Sequence, residues 1–162
     1  SALDCGAGIG RVTEGVLLRF AGIERVDLVE PAPNLRARAR ERLAGDARVR
    51  RFHASPLEEY TPRLEYDLIY LQWILMYIPD DEVVSFLRRC CLRLPAAGVL
   101  VVKDNVEDRR GPEEDLDERD LCVARTAAHY EALFCRAGLR VLLKRRQQRW
   151  PTGRGYFPLL MW

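Results

Sequence analysis

The sequence predicts an α/β fold with a mostly parallel sheet, and three observations indicate it. Apolar residues and an acid lead into glycines at every second position, Gly6, Gly8 and Gly10, which is typical of a strand that ends in a tight turn before a helix. Apolar strands then alternate with amphipathic helices along the chain. Residues 66–73 form a nearly continuous apolar run, as expected of a central parallel strand that is buried on both faces.

The predicted elements account for seven strands. The first strand precedes the glycines, the helix after Gly10 is expected to stop near Gly22, and a strand over residues 25–30 follows. The later elements are a helix over 35–43, strands over 49–54 and 66–73, a helix over 80–94, a strand over 98–104, a helix over 121–137, and an antiparallel pair of strands over 139–149 and 156–162. We therefore expect a seven-stranded, mostly parallel sheet with helices on both faces.

The length and composition predict one intracellular domain. The chain has 162 residues without internal repeats, which is enough to bury a core, and its net charge of +2 does not favour nucleic acid or a membrane as partner. The five cysteines form no Cys-x-x-Cys pair, which is typical of reduced thiols. Neither a signal peptide nor a membrane-spanning run is apparent. Because the chain begins inside a strand, we expect a single domain over residues 1–162 that is N-terminally truncated.

The glycine-rich loop indicates a nucleotide-type ligand. The chain lacks the Gly-x-x-x-x-Gly-Lys-Ser/Thr run of a phosphate-binding loop. A dinucleotide fingerprint requires glycine or alanine where this chain has Arg11, which is too large for close packing of the helix on the strand. Alternate glycines preceded by an acid are instead the pattern of methyltransferases that use S-adenosylmethionine (AdoMet). We expect the acid, Asp4, near the methionine amino group, because a carboxylate suits an ammonium group and repels a pyrophosphate.

Further candidate residues follow from their positions at strand ends. Glu30 ends the second strand twenty residues after Gly10, where a carboxylate accepts hydrogen bonds from ribose hydroxyls. The turn at residues 55–58 falls where methyltransferases contact adenine. Gln72 and Trp73 end the central strand beside the ligand crevice. The acidic loop over 106–120 leaves the same edge of the sheet, and it is either a functional loop or a linker.

Four runs carry a resemblance to a known family: residues 3–11, 69–73, 86–90 and 102–105. Through them the chain closely resembles the eukaryotic protein α-N-terminal methyltransferases, a Rossmann-like class I family that methylates the α-amine of proteins beginning X-Pro-Lys. The resemblance extends over essentially the whole chain. It implies an AdoMet-dependent enzyme that acts on X-Pro-Lys/Arg N-termini in the nucleus and cytoplasm, and it implies N-terminal helices over the site that this chain does not contain.

The resemblance also implies a role for each matching position. Asn105 would fix the direction of the substrate amine, and Asp120 would orient the ammonium group and take its proton, which makes these two the catalytic candidates. The implied cofactor-binding residues are Asp4, Gly6, Gly8, Arg11, Glu30, Pro31, Leu57, Glu58 and Gln72. The implied substrate-binding residues are Trp73, Tyr77, Asp117 and Tyr156. No metal site is implied.

Departures from the family pattern keep alternatives open. Tyr77 stands where the family usually has a histidine, and the acidic loop is longer than usual, so a different alignment makes Asp115 and Asp117 the functional pair. The alternative function is a methyltransferase-like domain that binds peptides or a partner without transferring a methyl group. A third hypothesis is a methyltransferase of small-molecule amines.

Overall fold

The computed structural model describes residues 1–107, 116–117, 122–123, 125–150 and 157–162, with only the backbone described at 116–117. The strands are β1 (Ala2–Cys5), β2 (Val26–Val29), β3 (Val49–His53), β4 (Leu68–Gln72), β5 (Val99–Asn105), β6 (Leu116–Asp117), β7 (Cys122–Val123), β8 (Arg145–Arg146) and β9 (Leu159–Met161). The α-helices are α1 (Arg11–Gly15), α2 (Pro33–Leu43), α3 (Asp80–Cys91) and α4 (Ala127–Arg136). Two short 3-10 helices span Leu17–Arg19 and Leu75–Tyr77.

Seven of these strands form one sheet in the order β3-β2-β1-β4-β5-β9-β8. Strands β1 to β5 pair in parallel, and β9 pairs antiparallel with both β5 and β8. The predicted seven-stranded, mostly parallel sheet is therefore confirmed. Strand β1 pairs with β2 on one side and with β4 on the other, so the direction of the strand order reverses at β1. Ligands of open α/β sheets bind outside the carboxyl ends of the strands at such a point.

Apolar clusters cover both faces of the sheet, as the sequence predicts. One cluster joins the sheet to α3 and α4 through residues such as Leu71, Phe86 and Leu133. The other joins it to α2 through Leu28 and Leu43. Strands β1 and β2 are buried at every position, which is typical of parallel strands with helices on both faces. Closely packed, buried strands therefore support the crevice at their carboxyl ends.

Several boundaries differ from the prediction for local reasons. Helix α4 begins at Ala127 rather than near residue 121, because the hydroxyl of Thr126 caps it by accepting a hydrogen bond from the N–H of His129 at 3.1 Å. The expected strand over 139–149 is reduced to β8. Its leading apolar residues are consecutive and exposed, Leu142 at 69% and Leu143 at 49%, so they do not alternate between faces. No helix within the described residues is long and apolar enough to cross a membrane.

Candidate active site

The glycine-rich loop between β1 and α1 combines a packed position with an open one. Gly6 and Gly8 have φ angles of 70° and 55°, a region that L side chains rarely adopt. A Cβ at Gly6 would lie 2.8 Å from Cγ1 of Ile74, so the loop packs tightly against the segment that follows β4. A Cβ at Gly8 would meet no described atom within 4 Å. The main chain at Gly8 is therefore open to a ligand.

Glu30, directly after β2, ties the glycine loop to the neighbouring strand end. One carboxylate oxygen accepts a hydrogen bond from the N–H of Gly8 at 2.9 Å, and the other accepts one from the N–H of Ala32 at 2.9 Å. The residue is only 8% exposed. Each carboxylate oxygen has a further lone pair, so the group retains acceptors for a diol. Its contact with ribose stays a prediction.

Asp4 lies beneath the loop and is 2% exposed. Its carboxylate accepts a hydrogen bond from the hydroxyl of the buried Thr13 at 2.5 Å and so joins β1 to α1. Burial raises the pKa of Asp4 to about 6, against the opposing effect of the hydrogen bonds from Thr13. The predicted contact with the methionine amino group stays a prediction, since the visible partner of this carboxylate is Thr13.

The turn predicted to face adenine is held by a side chain that the sequence reasoning assigned no role. Arg89 of α3 donates one hydrogen bond each to the carbonyls of Leu57 and Glu58 at 2.8 Å and of Tyr60 at 2.9 Å. Leu57 is buried and Glu58 half-buried. Nothing local in the sequence indicates this role, because the three carbonyls lie 29 to 32 residues away along the chain. The turn therefore keeps a fixed place beside the carboxyl ends of the strands.

Trp73 and Asn105 meet at the carboxyl edge of β4 and β5. The indole N–H of Trp73 donates to the side-chain oxygen of Asn105 at 3.3 Å, and the backbone N–H of Trp73 donates to the carbonyl of Lys103 at 3.0 Å. Trp73 has a φ of 54°, a left-handed conformation that is costly for a large side chain and typical of functional sites. Gln72, at the end of β4, accepts a hydrogen bond from the hydroxyl of Tyr70 at 3.1 Å.

The remaining predicted residues lie around this centre or outside the described part. Arg11 and Pro31 are exposed near the glycine loop and Glu30, and Tyr77 is 51% exposed at the end of the second 3-10 helix. Asp117 is described only through its backbone, in β6, where it pairs with Cys122 of β7. Asp120, Tyr156 and the alternative Asp115 lie outside the described residues. All of these assignments stay predictions.

The arrangement fits AdoMet, because it offers an open glycine backbone beside a buried carboxylate with lone pairs to spare. Together with the strand order, it defines the class I AdoMet-dependent methyltransferase fold. The chain belongs to the family described as AdoMet dependent proline di-methyltransferase, whose family model matches residues 1–162. The family membership inferred from the sequence is thereby confirmed.

Individual relatives agree with this membership. The chain is 38% identical over 165 residues to alpha N-terminal protein methyltransferase 1 of Drosophila melanogaster, covering 99% of this chain and 57% of the relative. It is 36% identical over 155 residues to human N-terminal Xaa-Pro-Lys N-methyltransferase 1, covering 93% of this chain and 66% of the relative. A solved SAM-dependent methyltransferase of Leishmania major superposes with a TM-score of 0.88 at 36% identity, covering 99% of this chain and 62% of that one. The chain thus spans less than two thirds of each of these proteins.

Proposed function

We propose that the protein transfers methyl groups from AdoMet to the α-amine of protein N-termini that begin X-Pro-Lys or X-Pro-Arg. The observation that carries the proposal is the position of Trp73 and Asn105 beside the glycine loop. Ile74, the residue after Trp73, packs against Gly6, so the predicted peptide residues adjoin the predicted cofactor residues. The names of the fly and human relatives support the same activity.

The cofactor site would be formed by residues from four segments. When bound, AdoMet supplies a methyl group made electrophilic by its sulfonium. The open backbone at Gly8 would approach its methionine part together with Arg11, and Glu30 would accept the ribose hydroxyls. The residues that complete the site are Asp4, Gly6, Pro31, Leu57, Glu58 and Gln72.

The chain's own residues would prepare the amine. An α-amine has a pKa of about 7.7–8.0, so it is mostly protonated at neutral pH and must lose a proton before it attacks. Asp120 would take this proton, and Asp117 would pair with the lysine or arginine at the third substrate position. The hydrogen bond from Trp73 fixes the amide of Asn105, which leaves a lone pair of its oxygen to accept from the substrate N–H. This contact would direct the nitrogen lone pair toward the methyl group.

A peptide panel tests the proposal. The full-length protein is incubated with AdoMet and a Ser-Pro-Lys peptide, and tandem mass spectrometry locates the added mass. We expect stepwise methylation of the α-amine and none on an Nα-acetylated copy or a Ser-Ala-Lys peptide. Methylation of an internal lysine, or transfer to small amines but not to peptides, would contradict it. Peptide binding without transfer would favour the non-catalytic alternative.

We further propose the nucleus and cytoplasm as the compartments of this activity, with neither nucleic acid nor a membrane as partner. The low net charge supports the second part, since it provides no general attraction to polyanions. Imaging of the tagged full-length protein tests the location. Exclusion from both compartments would contradict it.

A further inference from the structure

A buried guanidinium lies behind the short helix that follows Trp73. The side chain of Arg125 is fully buried. Its nitrogens donate to the carbonyl of Leu75 at 2.7 Å, to the carbonyl of Ile78 at 2.6 Å and to the carboxylate of Asp80 at 2.8 Å. Three groups in a six-residue stretch are thus held by the three separate nitrogens of one planar side chain, whereas the three donors of an ammonium group share a single nitrogen.

The position of Arg125 is itself fixed from several sides. Its own carbonyl accepts a hydrogen bond from the N–H of Glu107 at 2.9 Å, just beyond the end of β5. Its guanidinium lies over the ring of Tyr130 at 5.7 Å from the centroid. Asp80 also contacts Nε2 of His129 at 2.6 Å. Contacts with Glu107, just beyond β5, and with Tyr130 of α4 therefore fix Arg125, and its guanidinium in turn fixes the turn at residues 75–78.

The electrostatics of the surrounding carboxylates agree with this geometry. Burial works to raise the pKa of Asp80, but hydrogen bonds from His129 and Arg125 outweigh it and leave the pKa below the usual value. Burial raises the pKa of Asp104 to about 6, against the opposing effect of the backbone N–H groups of Asn105, Met76 and Leu75. Asp104 thus approaches the N–H groups of the same turn whose carbonyls Arg125 holds.

This turn connects the two parts of the candidate active site. Ile74 at its start packs on Gly6, and Trp73 before it donates to Asn105. Tyr77 lies within the turn and points a half-exposed side chain toward solvent. A shift of the turn would therefore move Trp73 and Tyr77 relative to Asn105, while Glu30 and Gly8 keep their own hydrogen bond.

We propose that Arg125 is a positioning residue for methyl transfer: through the carbonyls of Leu75 and Ile78 it fixes the turn that carries Tyr77 and so keeps the preceding Trp73 against Asn105. The inference rests on the proposed function, because it assigns a residue to the peptide side of the same site. Arg125 touches neither substrate nor cofactor in this role. Its effect is on the geometry of the groups that do, where a displacement of about 1 Å costs on the order of a hundredfold in rate.

The test uses the full-length protein with Arg125→Lys, which keeps the charge but loses the fork. Turnover of the Ser-Pro-Lys peptide is normalised to the fraction of protein that binds AdoMet in calorimetry, so that loss of folded protein does not count. We expect kcat/KM for the peptide to fall about tenfold to a hundredfold, while the AdoMet Kd stays within about twofold. The matched control is Arg136→Lys on the surface of α4, where an exposed arginine pairs with Asp81, and it should behave as wild type.

A second variant, Asp80→Asn, removes the counter-charge of Arg125 but keeps an oxygen facing it. It should lower kcat/KM for the peptide less than Arg125→Lys does, again without weakening AdoMet. Unchanged peptide kinetics in Arg125→Lys, an equal loss of AdoMet affinity, or failure of both variants to bind AdoMet at all would overturn the proposal. Absence of transfer by the wild type would instead contradict the proposed function itself.

Discussion

The candidate site has a cofactor side, formed by Gly8, Glu30 and Ala32, and a peptide side, formed by Trp73 and Asn105, and different kinds of contact hold the two sides together. On the cofactor side, the backbone N–H groups of Gly8 and Ala32 donate to one carboxylate, that of Glu30, and all three residues lie just after β1 or β2. On the peptide side, side chains from distant segments meet, as Trp73 and Asn105 do, over a strained backbone. The first side depends on main-chain geometry and the second on tertiary packing. Substitutions should therefore affect cofactor binding and peptide turnover separately.

The largest expected effect is that of Asn105→Ala on turnover. The substitution removes the acceptor that faces Trp73 and that we propose orients the amine. Loss of one positioned polar group in an active site costs about 10²–10³ in rate, so kcat for the Ser-Pro-Lys peptide should fall by about this factor. Steady-state kinetics measures it. Asn34→Ala, in the exposed first turn of α2, is the control, and an equal loss there would break the assignment.

Glu30→Gln should act mainly on AdoMet affinity. The amide offers an oxygen to only one of the two N–H groups of Gly8 and Ala32 and places an NH₂ group against the other. The remaining amide oxygen cannot serve both the loop and the ribose hydroxyls, and loss of a hydrogen bond to a charged group costs about 1.5–3 kcal/mol, so the Kd for AdoMet should rise at least about tenfold. Calorimetric titration measures this change, with Glu59→Gln at an exposed position as control. An unchanged affinity for AdoMet would contradict the assignment of Glu30 to the cofactor site.

Two glycine substitutions compare the packed position of the loop, Gly6, with the open one, Gly8. Gly6→Ala places a Cβ 2.8 Å from Ile74 and should lower the free energy of unfolding by about 1–3 kcal/mol. Gly8→Ala meets open space, so it should cost only about 1 kcal/mol of backbone strain and yet weaken AdoMet several-fold. Urea unfolding and calorimetry separate the two effects. Equal stability loss in both variants, without an affinity change in Gly8→Ala, would contradict an open face at Gly8.

The last expected effect concerns the pH dependence of stability at Asp4 and leaves turnover out of the measurement. The pKa of Asp4 is raised from 3.8 to about 6 in the folded protein. Between these two pH values the folded state therefore retains a proton that the unfolded chain has already released. The stability of the wild type relative to Asp4→Asn should therefore fall, by up to about 3 kcal/mol, as the pH rises from about 4 to about 6, and stay constant above. Urea unfolding at several pH values measures this difference.

The control for the pH series is Asp46→Asn. The hydrogen bond from Arg48 lowers the pKa of the half-buried Asp46 to about 2, so its contribution is present above about pH 4 and is lost as the pH falls toward 2. The two variants should thus give slopes of opposite sign in different pH ranges. A wild type that gains stability over Asp4→Asn between about pH 4 and 6 would show that the carboxylate of Asp4 is not held in a buried site.

The cofactor side could be read from the sequence because its signals are local. Alternate glycines predict the positive φ angles that the loop adopts, and the acid after the second strand singles out Glu30, although its hydrogen bond from Gly8 is not predicted and its contact with ribose stays a prediction. The roles of Arg89 and Arg125 could not be read in the same way, since each arginine binds backbone carbonyls far from it in sequence. The left-handed conformation of Trp73 likewise has no sequence signal, because tertiary contacts impose it.

The separation of the two sides is the central claim, and one calorimetric measurement tests it most directly. AdoMet is titrated into the full-length wild type and into Asn105→Ala under identical conditions. Because Gly8 and Glu30 bond to each other without Asn105, the two proteins should bind AdoMet with Kd values that agree within about twofold, although the variant transfers almost no methyl groups. A Kd that is about tenfold weaker in Asn105→Ala would contradict the account, because it would show that the two sides form a single unit.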